Sequence, residues 1–197
     1  GSLTISFIPV YTEYLTQKSE EETRKVTHIA FTIAGVILLI LTLLGILFSP
    51  ILIQVIAPGF TQVPEKFQLT VTLNQIIFPY LFFMGLFALC MGILNSYRHF
   101  FAPAIAPIFL NISIIVSVFL FYHTFKIPVM TLALGVVAGG VIQFLFQLPF
   151  LWKKRITFRF NFNFKHPAIK RIGLLMVPGL IGTAVYQINV FIDTIFA

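Results

Sequence analysis

Charged residues are scarce in this sequence, and their distribution is uneven. Only 10% of the 197 residues are Asp, Glu, Lys or Arg, whereas these four make up about 25% of an ordinary soluble domain. None of them occurs from Phe67 to Tyr97 or from His99 to Phe125. Such a composition excludes an ordinary water-soluble domain and is typical of a protein that crosses a membrane several times.

Cysteine and metal-binding patterns are also lacking. The only cysteine, Cys90, lies within an apolar run, which excludes an intramolecular disulfide framework. The four histidines are scattered, without the spacing of a Cys-x-x-Cys or His-Glu-x-x-His site. An enzyme inside the membrane would need clustered His, Asp or Glu, and the apolar runs contain a single acid, Asp193. We therefore expect neither a cofactor nor catalysis.

Apolar sequence is abundant, in five long runs. The runs cover residues 29–48, about 69–94, 103–122, 128–152 and 172–196. Each reaches the roughly 20 residues that a helix needs to cross the hydrocarbon core. A shorter apolar piece, residues 4–10, fits the tail of a further helix. The predicted fold class is all-α: a polytopic integral membrane helical bundle with about five full transmembrane helices and a partial one at the N-terminus.

The basic residues predict the orientation of these helices. If the runs cross the membrane alternately, one side receives Lys66 and Lys126, and the other receives eleven basic residues. Because cytoplasmic loops carry an excess of Lys and Arg, the larger set is predicted to be cytoplasmic. This asymmetry explains the net charge of +7 without nucleic acid, and it favours contact with anionic lipid headgroups. The larger set comprises Lys18, Arg24, Lys25, Arg98, Lys153, Lys154, Arg155, Arg159, Lys165, Lys170 and Arg171.

Amides within the runs are candidates for a polar cavity that a substrate enters, because they are disfavoured at positions facing lipid. Gln143 and Gln147 are four residues apart and share one helix face, where hydrogen bonding between helices is an equal alternative. Asp193 is a candidate ion or proton site, with an acid at a helix end as the alternative. The amide candidates are Asn74, Asn95, Asn111, Gln143, Gln147, Gln187 and Asn189.

Prolines and glycines predict bends and close contacts. Pro79 and Pro178 each remove a backbone hydrogen bond inside a run, so each is either a tolerated bend or a hinge. Gly135 and Gly139 form a small-x-x-x-small face that allows a neighbouring helix to approach closely. Between the last two runs, the alternation Phe158 to Phe164 predicts an extended segment with an aromatic face at the membrane surface, followed by a helix start at His166-Pro167.

Short motifs in a fixed order carry a family resemblance. They are Phe7-Ile8-Pro9-Val10, Ala57-Pro58-Gly59-Phe60, Phe78-Pro79-Tyr80, Gly92-Ile93-Leu94-Asn95, Phe101-Ala102-Pro103-Ala104, Leu110-Asn111-Ile112, Gln147-Leu148-Pro149 and Ile195-Phe196-Ala197. Together they resemble the MurJ/MviN lipid II flippases of bacteria, in the superfamily that also contains multidrug-and-toxin exporters. The sequence lacks an initial Met and stops in an apolar run, so we expect a fragment of a larger membrane protein.

The resemblance implies fourteen helices in two lobes around a cationic cavity. Residues 1–152 would hold the end of helix two and helices three to six of the first lobe. Residues 153–171 would be a cytoplasmic linker between the lobes, and residues 172–197 would be helix seven. Such a protein moves lipid II, an undecaprenyl-pyrophosphate-linked muropeptide, across the bacterial cytoplasmic (inner) membrane for peptidoglycan synthesis. The family's essential arginines lie on helices one, two and eight, outside this chain.

The resemblance also implies partners and leaves alternatives. Expected partners are lipid II, membrane lipids and the cell-wall synthesis or division machinery, with no nucleic acid. Transport would be coupled to sodium or protons, and Asp193 matches an acid that binds sodium in some members. One alternative is another exporter of the superfamily, for polysaccharide-lipid intermediates or for drugs and cations. The other is a membrane-embedded assembly subunit or lipid-modifying enzyme.

Overall fold

The computed structural model describes the backbone of residues 2–125 and 127–196 and the side chains of residues 4–125 and 127–190. The described backbone contains helices and connections but no strand. In chain order the helices are α1 Ser2–Gln17, α2 Glu20–Leu47, α3 Ser49–Ile56, a short 3-10 helix Pro58–Gln62, α4 Pro64–Ile77, α5 Pro79–Ser96, α6 Phe101–Phe121, α7 Val129–Lys153 and α8 Pro167–Phe196.

The predicted all-α membrane bundle is confirmed. Five segments are long and apolar enough to cross a membrane. They are Glu20–Leu47, Pro64–Ser96, Phe101–Phe121, Val129–Lys153 and Pro167–Val190. The piece predicted at 4–10 belongs to the longer helix α1, whose buried Phe7 and Tyr11 pack in one core with Leu89 and Ile93 of α5.

Several helices begin earlier than the apolar runs, as α2 and α8 illustrate. Helix α2 starts at Glu20, where the Ser19 hydroxyl oxygen accepts a hydrogen bond from the Glu22 backbone N–H at 3.3 Å. Three glutamates in its first turn also suit the positive end of the helix dipole. Helix α8 starts at Pro167, five residues before the run at 172, as the His166-Pro167 pair predicts. Apolar runs mark the part of a helix inside the membrane, and polar capping residues mark where it begins.

Pro79 separates α4 from α5. Phe78 keeps helical backbone angles, φ −53° and ψ −37°, and its N–H still donates to the Asn74 carbonyl at 2.9 Å. The missing N–H of Pro79 therefore interrupts the hydrogen-bond ladder while the chain continues in the same span. The interruption at Pro79 is confirmed, and motion about it stays a prediction.

Basic residues gather at one end of the bundle, which we call the basic end. Lys18 after α1, Arg24 at the start of α2, and Lys154 and Arg155 after α7 line a single pocket. Lys66 is elsewhere, at the start of α4, with its Nζ 3.8 Å from the centre of the Phe60 ring. Lys126 is outside the described residues. The pocket therefore joins members of the larger basic set that are distant in the chain.

Candidate functional site

Helix α7 packs more extensively against α6 than against any other described helix, through two glycines. A Cβ atom added at Gly135 would lie 2.8 Å from Cα of Ile114, and one added at Gly139 would lie 3.0 Å from Cα of Leu110. Both obstacles are backbone atoms of α6, so neither can move aside as a side chain would. The close approach predicted for this small-x-x-x-small face is confirmed.

Two serines of α6 reinforce this contact. The Ser113 hydroxyl donates to the Gly135 carbonyl at 2.9 Å, and the Ser117 hydroxyl donates to the Thr131 carbonyl at 2.6 Å. Both serines are buried. Polar pairs of this kind contribute roughly 0.6 kcal/mol each between membrane helices. Glycine contacts and hydroxyl bonds together therefore fix α6 and α7 in one register.

Gln143 and Gln147 continue the same buried face of α7 toward the basic end. Gln143 is 2% exposed and Gln147 is fully buried. Oε1 of Gln143 and both amide atoms of Gln147 lack a hydrogen-bond partner among the described residues. Leaving a buried amide unpaired costs about 1–3 kcal/mol. The pair is thus a polar element held inside the packed helices at an energetic cost, and its role as a cavity lining stays a prediction.

The other candidate amides lie apart from this pair. Asn74 of α4 donates through Nδ2 to the Ser49 hydroxyl at 2.8 Å, and Gln75 donates to the Ile46 carbonyl at 3.3 Å. These bonds attach α4 to the junction of α2 and α3. Asn95 is half-buried near the end of α5, and the remaining candidates are exposed: Asn111, Gln187 and Asn189. The Asp193 side chain is outside the described residues.

Helix α8 differs from the rest of the bundle. Its start packs against α1, where Ala168 and Ile172 are buried in the same core as Phe7. Farther along, every residue of 180–190 is exposed. The helix continues through Pro178 without ending there. Most of α8 therefore presents its surface outward, and a hinge at Pro178 stays a prediction.

Two cavities that the sequence did not predict bear on the site. One is an apolar groove of about 410 Å³ where α2, α5 and α8 diverge, lined among others by Ile37, Gly85 and Met176. The other is the pocket at the basic end, about 220 Å³. Both are lined by residues from helices far apart in the sequence. Small residues such as Gly85 and Gly173 are a local signal for the groove, and nothing comparable signals the pocket.

The fold and these sites define a class: a multi-pass helical membrane protein whose final described helix has its far half uncovered. Comparison with protein families then identifies it further. The family model for lipid II flippase MurJ matches residues 1–197. The chain belongs to the MurJ family.

Curated relatives from different bacteria support this family assignment. The chain is 40% identical over 197 residues to the probable lipid II flippase MurJ of Buchnera aphidicola subsp. Acyrthosiphon pisum, covering 100% of the chain and 39% of that protein. It is 35% identical over 204 residues to the Vibrio cholerae protein of the same name, covering 100% of the chain and 39% of that protein. It is 33% identical over 198 residues to lipid II flippase MurJ of Burkholderia cenocepacia, covering 98% of the chain and 38% of that protein. The chain thus spans about two fifths of the length of these relatives.

Proposed function

We propose that the complete protein containing this chain moves lipid II from the inner to the outer leaflet of the bacterial cytoplasmic membrane. The family match over all 197 residues is the observation that supports this proposal. Relatives covered by the chain at 33–40% identity carry the name lipid II flippase or probable lipid II flippase. Peptidoglycan synthesis then depends on this protein for its membrane-linked precursor.

Alternating access is the mechanism that fits such a substrate. A pyrophosphate cannot cross hydrocarbon unaided, because an ionised group there is strongly penalised. Two lobes that rock about a wet central cavity avoid this penalty. In this proposal residues 1–152 form most of one lobe, and α8 begins the other. The uncovered far half of α8 suits a boundary between lobes that move relative to each other.

The function is tested with the full-length protein in cells depleted of their own flippase. Externally added enzyme that cleaves lipid II should reach its substrate only when the protein is expressed. Wild-type protein should restore both this cleavage and growth. Restored export of a polysaccharide-lipid intermediate, without lipid II cleavage, would instead favour another exporter of the superfamily.

The orientation follows from the basic end, which we place in the cytoplasm. Full-length Arg98→Cys should resist an impermeant thiol reagent added outside intact cells, whereas Lys66→Cys should react. Cys90 is fully buried, so it contributes no background labelling. Labelling at position 98 from outside would contradict the orientation.

Asp193 is proposed as a cation site that couples transport to sodium. The basis is the polar cluster of Gln187, Asn189 and Asp193 in an otherwise apolar helix. Full-length wild-type protein should be more heat-stable in sodium than in potassium at equal ionic strength, and Asp193→Ala should abolish the difference. Equal stability of the wild-type protein in the two salts would remove this part of the proposal.

A further inference from the structure

The pocket at the basic end joins four parts of the chain. The end of α1, the start of α2, the residue after α5 and the residues after α7 line a cavity of about 220 Å³. Its charged side chains are Lys18, Glu20, Arg24, Lys154 and Arg155. Four positive charges and one negative charge leave the lining with a strong positive excess.

Most of this positive charge is not neutralised. Arg24 lies 3.8 Å from the Glu20 carboxylate, and both side chains are largely exposed. Lys18, Lys154 and Arg155 have no carboxylate partner within the described part of the chain. Lys25, a neighbouring cation outside the pocket, instead pairs with Glu21 and Glu22 at 3.0 Å. The pocket therefore holds three cations without a carboxylate partner, although Glu21 and Glu22 lie nearby in the chain.

The remaining lining offers hydroxyl groups. Tyr11 and Thr27 share a hydrogen bond of 2.8 Å, and Tyr97 stands beside them with its ring centre 6.5 Å from that of Tyr11. Burial raises the pKa of the Tyr97 phenol, so this group stays protonated and able to donate. Nζ of Lys154 lies 5.6 Å from the centre of the Tyr97 ring. Cationic donors around a hydroxyl-bearing wall are the chemistry that binds a phosphate group.

The backbone places two of these cations. Arg155 has a left-handed φ of 57°, which a residue other than glycine rarely adopts. Its N–H donates to the Trp152 carbonyl at 2.8 Å, and the Ile156 N–H donates to the Leu151 carbonyl at 3.1 Å. The chain therefore turns sharply as α7 ends, with Lys154 and Arg155 on the turn that lines the pocket.

Exposed aromatic residues precede and follow the turn at Lys154 and Arg155 in the chain. Trp152 is 57% exposed, and Phe160 is 86% exposed. The segment carrying Phe160 lies along α2, because the Phe158 ring is 4.5 Å from Phe31 and the Asn161 N–H donates to the Thr32 hydroxyl at 2.9 Å. Exposed aromatic rings belong at the level of lipid headgroups. The segment begins at the pocket, whose lining includes Arg155 and Ile156, so we place the pocket at this level of the membrane.

We propose that this pocket binds the phosphate of an anionic membrane phospholipid. Basic pockets between transmembrane helices at the cytoplasmic surface bind such headgroups. A bound phosphate bridges Lys18, Lys154 and Arg155, so it ties the end of α1 to the end of α7. The lipid is a bound component of the protein and not its transported cargo.

The test compares two triple variants of the full-length protein with equal loss of charge. The pocket variant is Lys18→Gln, Lys154→Gln and Arg155→Gln. The control variant is Arg159→Gln, Lys165→Gln and Lys170→Gln, which removes three cations of the larger basic set that do not line the pocket. Each protein is titrated in neutral detergent with phosphatidylglycerol, phosphatidylcholine or inorganic phosphate. Thermal stability and native mass spectrometry report binding.

Phosphatidylglycerol should stabilise the wild-type and control proteins, and the pocket variant should bind it at least about tenfold more weakly. Phosphatidylcholine should have little effect. Equal losses in both variants, or no stabilisation of the wild-type protein, would overturn the proposal. Inorganic phosphate that stabilises the wild-type protein as well as the lipid does would identify a soluble phosphate as the ligand and overturn the lipid assignment.

If the pocket variant does not fold, the single change Lys154→Gln is titrated against Lys165→Gln. Lys154→Gln should weaken phosphatidylglycerol binding more than Lys165→Gln does. Equal binding by the two single variants would contradict the pocket. Neither readout involves lipid II, so a negative result here leaves the flippase proposal unaffected.

Discussion

The α6–α7 contact and the far half of α8 both lie in apolar candidate membrane spans but have opposite surroundings. In α7, Gly135 and Gly139 press against the backbone of α6. In α8, an added Cβ at Gly173 or Gly182 would meet nothing within 4 Å. Apolar surface does not drive helices together in a membrane, because lipid is equally apolar. Contact depends on small residues and polar pairs that meet a partner, and only α7 has its partner within the described chain.

The difference suggests what α8 requires. Its start is held by α1, whereas residues 180–190 are all exposed. The relatives are more than twice as long as this chain, so a full-length protein of that size has further residues available to cover it. The α6–α7 contact, by contrast, is formed within the described chain. Perturbing the two regions in matched ways should therefore give unequal effects.

The largest effect is expected at Gly135. Gly135→Val places a branched side chain against Ile114 Cα, and overpacking of this kind costs about 3 kcal/mol. The full-length variant should show a lower thermal midpoint and less monodisperse protein on size-exclusion chromatography. Gly182→Val, where space is open in this chain, is the matched control. If Gly182→Val lowers the thermal midpoint as much as Gly135→Val does, then α8 is packed as tightly as α7 by parts of the protein beyond this chain.

A smaller effect, of opposite sign, is expected at Gln147. Gln147→Met keeps the shape of the side chain but removes a buried amide without a partner, so the full-length protein should gain about 1–2 kcal/mol of stability. Gln68→Met, on an exposed part of α4, should change stability by less than about 0.5 kcal/mol. Thermal or denaturant unfolding measures both. Destabilisation by Gln147→Met would reveal a partner for the amide, such as ordered water or a group reached in another conformation.

The sequence predicted the helices well because each prediction rested on local information. Uncharged length identified the spans, Pro79 identified the interruption between α4 and α5, and Gly135 with Gly139 identified a close contact. Helix starts were less accurate at α2, because its first turns are polar and extend beyond the apolar run. Helical periodicity could place Gln143 and Gln147 on one face, but it could not say which atoms would lie opposite.

The pocket at the basic end could not be predicted for a related reason. Its lining joins Lys18, Arg24, Tyr97 and Lys154, which come together only through tertiary packing. Counting basic residues predicted the side of the membrane on which they lie. It could not separate paired cations such as Lys25 from unpaired ones such as Lys154, because pairing depends on distances that the sequence does not contain.

The smallest effect is expected from the serine bonds of α6. The double variant Ser113→Ala, Ser117→Ala removes two hydroxyls that donate to carbonyls of α7, at a cost of about 1 kcal/mol in total. Thr183→Ala is the matched control, because the Thr183 hydroxyl donates at 2.8 Å to Gly179 within its own helix. Unfolding of the full-length proteins by denaturant should resolve the difference.

The control is informative because Thr183 lies in the uncovered half of α8. If the hydrogen bond to Gly179 is the only polar contact of Thr183, the free energy of unfolding of Thr183→Ala should lie within about 0.5 kcal/mol of the wild-type value. If the double serine variant is no less stable than Thr183→Ala, hydroxyl bonds do not help to fix α6 on α7. Close backbone approach at Gly135 and Gly139 would then account for the contact alone, and the two regions would differ only in steric fit.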